Sequence, residues 1–178
     1  LSETTIGPNS GDGENSSDYF DIVLYAGNDT ANHVIPASGD DPTSIDFSPD
    51  WLWVKTRSGN DNHSHFWITS SLSSGDYIKP DATGASAGND FSVFADEETW
   101  SANTFRTGSG VTLINGDGTN HAAWLWKNNG GTTQTLSAGS NASANTNQVN
   151  QTAGISFNNF TTSTRDGSDV VFKHGLGV

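Results

Sequence analysis

Apolar residues in this 178-residue chain recur every second position in short runs, and no stretch sustains the period of an amphipathic helix. Two runs are the plainest. Asp50-Trp51-Leu52-Trp53-Val54-Lys55 and Ala123-Trp124-Leu125-Trp126-Lys127 both alternate, so each sets a pair of tryptophans on one face of a strand. Tyr19–Tyr25 reads as the first strand, with Phe20, Ile22 and Leu24 sharing a face, and Trp51–Thr56 as the second. Ser64–Ser70 is predicted next, with Phe66 and Ile68 opposite His65 and Trp67. Further strands are predicted at Asp90–Ala95, around Phe105, at Val111–Ile114, His121–Lys127, Ile155–Phe160 and Val170–Lys173. The pattern is that of an all-β fold, a β-sandwich or jelly roll of roughly eight to ten short antiparallel strands.

Polar stretches separate these runs. Leu1–Asp18 reads as a flexible acidic arm or linker, and residues 19–178 as one β domain. Ala26–Pro49 and Gly75–Asn89 read as long polar loops. Asn128–Thr152, rich in Gly, Ser, Thr, Asn and Gln, reads as a long loop or an exposed ribbon that docks on a neighbour. Hydrophobic residues make up only 32% of the chain, a balance that also fits disorder. The clustering of six Trp, nine Phe and three Tyr into alternating runs argues for a folded β domain instead.

Charge narrows the partners. Twenty Asp and Glu against seven Lys and Arg give a formal charge of −13. Such a surface cannot neutralise a phosphate backbone and is repelled by anionic lipid, so no nucleic acid is expected as a partner. No apolar run approaches a membrane span, so no membrane insertion is expected either. The absence of Cys excludes disulfides and thiolate metal sites.

The tryptophan pairs are either core and interface packing or an aromatic platform for a pyranose ring, whose CH-rich face suits an indole. His65, Trp67 and Trp100 adjoin polar loops and are the candidate ligand-binding residues, while Trp51, Trp53, Trp124 and Trp126 are the structural pairs. Asn115-Gly116-Asp117-Gly118-Thr119-Asn120 alternates oxygen side chains with glycine. Asn115, Asp117 and Asn120 are therefore candidate calcium ligands, although the distal bidentate Glu of an EF-hand is missing and a tight turn explains the same residues. His63 and His65 share one strand parity, a spacing zinc or nickel could use, with no third ligand in view. Asp96-Glu97-Glu98 could in principle supply an acid and a nucleophile for glycoside hydrolysis. Neighbours on a strand point to opposite faces, so no catalytic residue is assigned and no enzymatic activity is expected. No cofactor is expected apart from calcium at Asn115–Asn120.

Four stretches carry a family resemblance: Tyr19–Asn28 with its Tyr-x-Gly-Asn turn, Phe47–Arg57 with Phe-x-Pro-Asp leading into Trp-x-Lys-x-Arg, Ala123–Lys127, and Phe172–Gly177. The chain resembles a β-rich domain of uncharacterised function that recurs in tail-fibre and other surface proteins of bacteriophages, marine ones especially. The resemblance spans residues 19–178. It departs at Phe66–Leu72, which lacks the acidic and basic residues of the family's Phe-Asp-x-x-Arg-Gly stretch. Members often occur in tandem, which makes Ile155–Phe160 a candidate opening strand of a second repeat and the chain a piece of a longer fibre polypeptide.

The resemblance implies a virion-surface, extracellular module. It would be homo-oligomeric, a trimer by analogy with fibres, among other virion proteins, with loops displayed toward a bacterial surface polysaccharide. A purely structural subunit packing through its Trp faces and a free carbohydrate-binding module or lectin are the alternatives.

Overall fold

The computed structural model describes residues 16–58, 65–69, 100–101, 103–107, 112–128, 133–136, 142–162 and 175–176. The expected strands at Asp90–Ala95 and Val170–Lys173, the loop Gly75–Asn89, His63, Asp96–Glu98 and most of the N-terminal arm lie outside them. The described elements are antiparallel strands apart from a 3-10 turn at Ser16–Asp18 and one turn of α-helix, so the fold is all-β.

The chain divides into two compact units, Ser17–Lys127 and Asn128–Val178 with Leu1–Ser16, where the sequence suggested one body from residue 19 onward. In the first unit, β1 (Phe20–Ala26), β3 (Trp51–Ser58), β4 (His65–Thr69) and β7 (Asn120–Trp126) form a four-stranded sheet in the order β1-β7-β3-β4. A second sheet has the order β2-β6-β5, from β2 (His33–Ile35), β5 (Trp100–Ser101) and β6 (Thr104–Thr107). Thus Ala26–Pro49 is not a continuous loop: it contributes β2, and Asp41 closes a two-bond bridge onto the outer edge of β1 at Leu24, at 2.8 and 3.0 Å. That bridge satisfies edge groups of β1 that would otherwise be open to pairing.

Val111–Ile114 was expected to be a strand. The structure instead winds Thr112–Asn115 into a single α-helical turn, α1. The turn drives Ile114 into the core and aims the Asn115 side chain at the loop after β1, an arrangement an extended segment with alternating faces could not reach.

The core is built by one face of the four-stranded sheet. Val23 and Tyr25 of β1, Leu52 and Val54 of β3, and Ala123 and Leu125 of β7 are buried with Ile35, Ile45, Phe47, Phe105 and Ile114. The alternating apolar residues Phe20, Ile22 and Leu24 of β1 share one face, as expected. That face is the one opposite the core, and Ile22 is 39% exposed. Phe20–Tyr25 is apolar at both parities, so alternation could not choose a side. Register chooses it, through the pairs Ile22–Trp124 and Val23–Ala123.

The second unit carries a meander of β8 (Thr133–Leu136), β9 (Ala142–Asn150) and β10 (Ile155–Thr162), in the order β10-β9-β8. Within Asn128–Thr152 the described Thr133–Leu136 and Ala142–Asn150 are strands, which fits the ribbon reading over the loop. Polar side chains hide the β periodicity, but the main-chain ladder from Ile155–Asn150 to Thr162–Ala142 needs no apolar face to form. Ile155–Phe160 lies in the third strand of this meander and pairs with β9.

Candidate functional site

The four tryptophans of the two motifs meet on the outer face of the four-stranded sheet. β7 lies between β1 and β3, so Trp124 is flanked by Ile22 and Trp53, and Trp126 by Phe20 and Trp51. Trp51 and Trp126 are 4.2 Å apart between ring centroids, Trp53 and Trp124 5.1 Å, and Phe20 and Trp126 5.0 Å. All three pairs are tilted, at 35–57°, within the range of favourable aromatic contact. The indoles are half-buried, whereas Leu52 and Leu125 between them are fully buried on the other face. The tryptophans are thus not the core. They form an aromatic plateau, bordered by Leu24, Ala122 and Lys55, the next row of the same register.

The other ligand candidates follow by backbone position. Trp67 pairs with Trp53 and His65 with Lys55, so both lie on the strand flanking the plateau. Trp100 pairs with Phe105 in the other sheet. The side chains of His65, Trp67 and Trp100 lie outside what is described.

The candidate calcium ligands Asn115, Asp117 and Asn120 are each engaged in the local structure. Asn115 is buried and fully engaged. Its Oδ1 accepts from the Asn28 amide at 3.2 Å and lies 2.9 Å from His33 Nδ1, and its Nδ2 donates to the Thr30 carbonyl at 3.0 Å. Asp117 is exposed in a tight turn closed by the Thr119 amide on the Gly116 carbonyl, with Gly118 at φ +73°. Asn120 Nδ2 donates to Ser58 Oγ at 2.8 Å. The three side chains are turned to three different tasks. Among the described residues, no group of three or more His, Cys, Asp or Glu is placed to hold a metal ion.

A polar cluster in the core was not legible in advance. The Tyr25 ring stacks on His121 at 4.9 Å and 24°, and its hydroxyl donates to the Ile114 carbonyl at 2.8 Å. His121 is fully buried, with Nε2 2.6 Å from Thr119 Oγ1 and Nδ1 3.3 Å from Thr56 Oγ1. Burial first, and the positive charge of His33 second, hold its pKa down to about 4. Burial first, and the carboxylate of Asp40 second, push the Tyr25 phenol well above its ordinary value. Both groups are therefore neutral near pH 7. They act as hydrogen-bonded braces, with neither poised for proton transfer. The only sequence signal for them was their parity, since Tyr25 and His121 alternate with the outward-facing residues of β1 and β7.

Among the described residues, no helix is long and apolar enough to cross a membrane. No curated protein and no solved structure matches the chain. A family model does match, over residues 15–178, which takes in both Trp strands, the core cluster and the β8–β10 meander. The chain belongs to the family described as a domain of unknown function, DUF7483.

Proposed function

We propose that this domain is an adhesion module of a phage virion surface, in a tail fibre or similar appendage, that holds a neutral glycan of a bacterial envelope on its tryptophan plateau. The observation that carries the reading is the partly exposed set Trp51, Trp53, Trp124 and Trp126 on the sheet face opposite the core. Indoles in tilted contact offer apolar surface for the CH face of a pyranose, while their neighbours fix each ring in place. The charge of −13 disfavours uronate-rich or phosphorylated glycans and favours neutral ones. The resemblance of Tyr19–Asn28, Phe47–Arg57 and Ala123–Lys127 to tail-fibre domains supports a virion setting. In an oligomeric fibre, weak sites gain avidity by repetition.

The test is binding of the fluorescently labelled domain to bacterial cells, with isolated envelope polysaccharide as competitor. Saturable, competed binding that falls roughly 2- to 10-fold in Trp53→Ala and again in Trp124→Ala is expected. A domain that binds no cell and no polysaccharide, but self-associates until Trp53→Ala makes it monomeric, would replace adhesion with subunit packing through the same face.

A further inference from the structure

Beyond the plateau, the sheet ends in a cavity of about 200 Å³ that includes Leu24, Ala26, Asp40, Asp41, Arg57 and Asn120 in its lining. We propose that this cavity is a monosaccharide subsite, which takes one neutral pyranose unit through a pair of adjacent hydroxyls. The assignment rests on the glycan-adhesion reading and gives it a polar anchor that the tryptophans lack.

Arg57 reaches this site because of a backbone irregularity. Thr56 pairs with His121 and Ser58 with Asn120, so Arg57 is an extra residue in β3, a bulge. Bulges re-aim a side chain and occur often beside functional sites. Leu24, Ala26 and Asn120 share the parity of Trp124 and Tyr25 has the opposite parity, so the cavity lies at the end of the sheet. From the other side, the Gly39–Asp41 segment is held rigidly. The Ala37 amide donates to Asp40 Oδ2 at 2.6 Å, and the main chain of Asp41 is bridged to Leu24. The bridge uses only main-chain atoms of Asp41 and leaves the role of its exposed carboxylate to a ligand.

The donor and acceptor set selects the ligand class. Two carboxylates accept from hydroxyl groups. A guanidinium offers parallel N–H donors to two neighbouring oxygens, and Asn120 adds an amide whose Nδ2 is steadied by Ser58. Vicinal hydroxyls both donate and accept, so they match this mixture. A carboxylate or phosphate ligand would meet Asp40 and Asp41, and a bare cation would meet Arg57. The volume lies below the ~300–1,000 Å³ of pockets for drug-sized ligands, which fits a single ring. Leu24 and Ala26 give that ring an apolar wall.

The experiment is an amide-resolved NMR titration of the whole chain with the methyl glycosides of glucose, galactose and mannose, and separately with calcium. The expected result is saturable shifts at Asp40, Asp41, Arg57 and Asn120 with one of the sugars, at a Kd of roughly 1 mM. Arg57→Ala and Asp41→Asn should each weaken that binding roughly tenfold. Trp53→Ala should weaken polysaccharide binding. Both anchoring side chains are exposed, so an unchanged urea midpoint verifies that the variants fold.

Cavity amides that ignore all three sugars, or that move with calcium alone, overturn the subsite. If polysaccharide is still bound in that case, the adhesion reading stands without it. If the sugars occupy the cavity but no polysaccharide binds, the subsite stands and the adhesion reading fails.

Discussion

Burial of His121 makes a quantitative prediction about acid stability. The side chain is fully buried, stacked on Tyr25 and placed between Thr56 and Thr119, and its pKa is held down to about 4 from an unfolded value of 6.5. Above 6.5 the imidazole is neutral in both states and pH has no effect through this group. Below 6.5 the unfolded chain binds a proton that the folded chain refuses, so stability falls as pH drops and the loss levels off below about 4. A lowering from 6.5 to about 4 corresponds to about 3 kcal/mol in full, of which about 2 kcal/mol is lost by about pH 5.

The measurement is urea unfolding by Trp fluorescence at about pH 7.5 and about pH 5, on the wild type and on His121→Gln. All six tryptophans lie within Ser17–Lys127, so the signal reports that unit alone. The variant loses the stacking on Tyr25 at every pH but has no imidazole to protonate. Carboxylate titration affects both proteins and cancels in the comparison. The stability gap between them should therefore narrow by about 2 kcal/mol on acidification, a midpoint change of roughly 1 M urea. The imidazole resonance of His121 should titrate near pH 4. A gap that stays constant, or a His121 titration close to the unperturbed 6.5, would refute the reasoning.

Three further outcomes are expected. Asn115→Ala should cost roughly 2–3 kcal/mol in urea unfolding, because it strands the Asn28 amide and the Thr30 carbonyl that the side chain now satisfies. Gly27→Ala should cost at least about 2 kcal/mol by the same measurement, since a Cβ there would run into the Gly116 carbonyl oxygen and the Asn115 main chain. Val23→Ala should destabilise by about 2 kcal/mol and Ile22→Ala by under about 1 kcal/mol, although the second removes more atoms; the reverse order would overturn the face assignment of β1.

The Trp-x-Trp strands, β4 and the short strand around Phe105 were legible in the sequence because their hydrophobic alternation is strong enough to read locally. Other elements were hidden for definable reasons. β8 and β9 carry too few apolar residues to show a period, and their stability resides in main-chain ladders. α1 is too short to display helical periodicity, and its conformation is held by what Ile114 and Asn115 touch at a distance in sequence. At Asn115–Asn120 composition left two readings open, since Asn-Gly-Asp-Gly describes a turn and a cation loop equally well.

The sequence by itself determined the all-β class, the acidic surface and the existence of two paired-tryptophan strands, because those depend on local pattern and on totals. Only the tertiary structure decided that β7 lies between β1 and β3, which sets all four indoles on one outer face and turns Phe20, Ile22 and Leu24 outward with them. The same register, interrupted at Arg57, brings a guanidinium from β3 to carboxylates of a loop after β2. Period-two alternation states which residues share a face. It carries no information on which face the rest of the chain covers, and that choice is made by pairing between strands about a hundred residues apart.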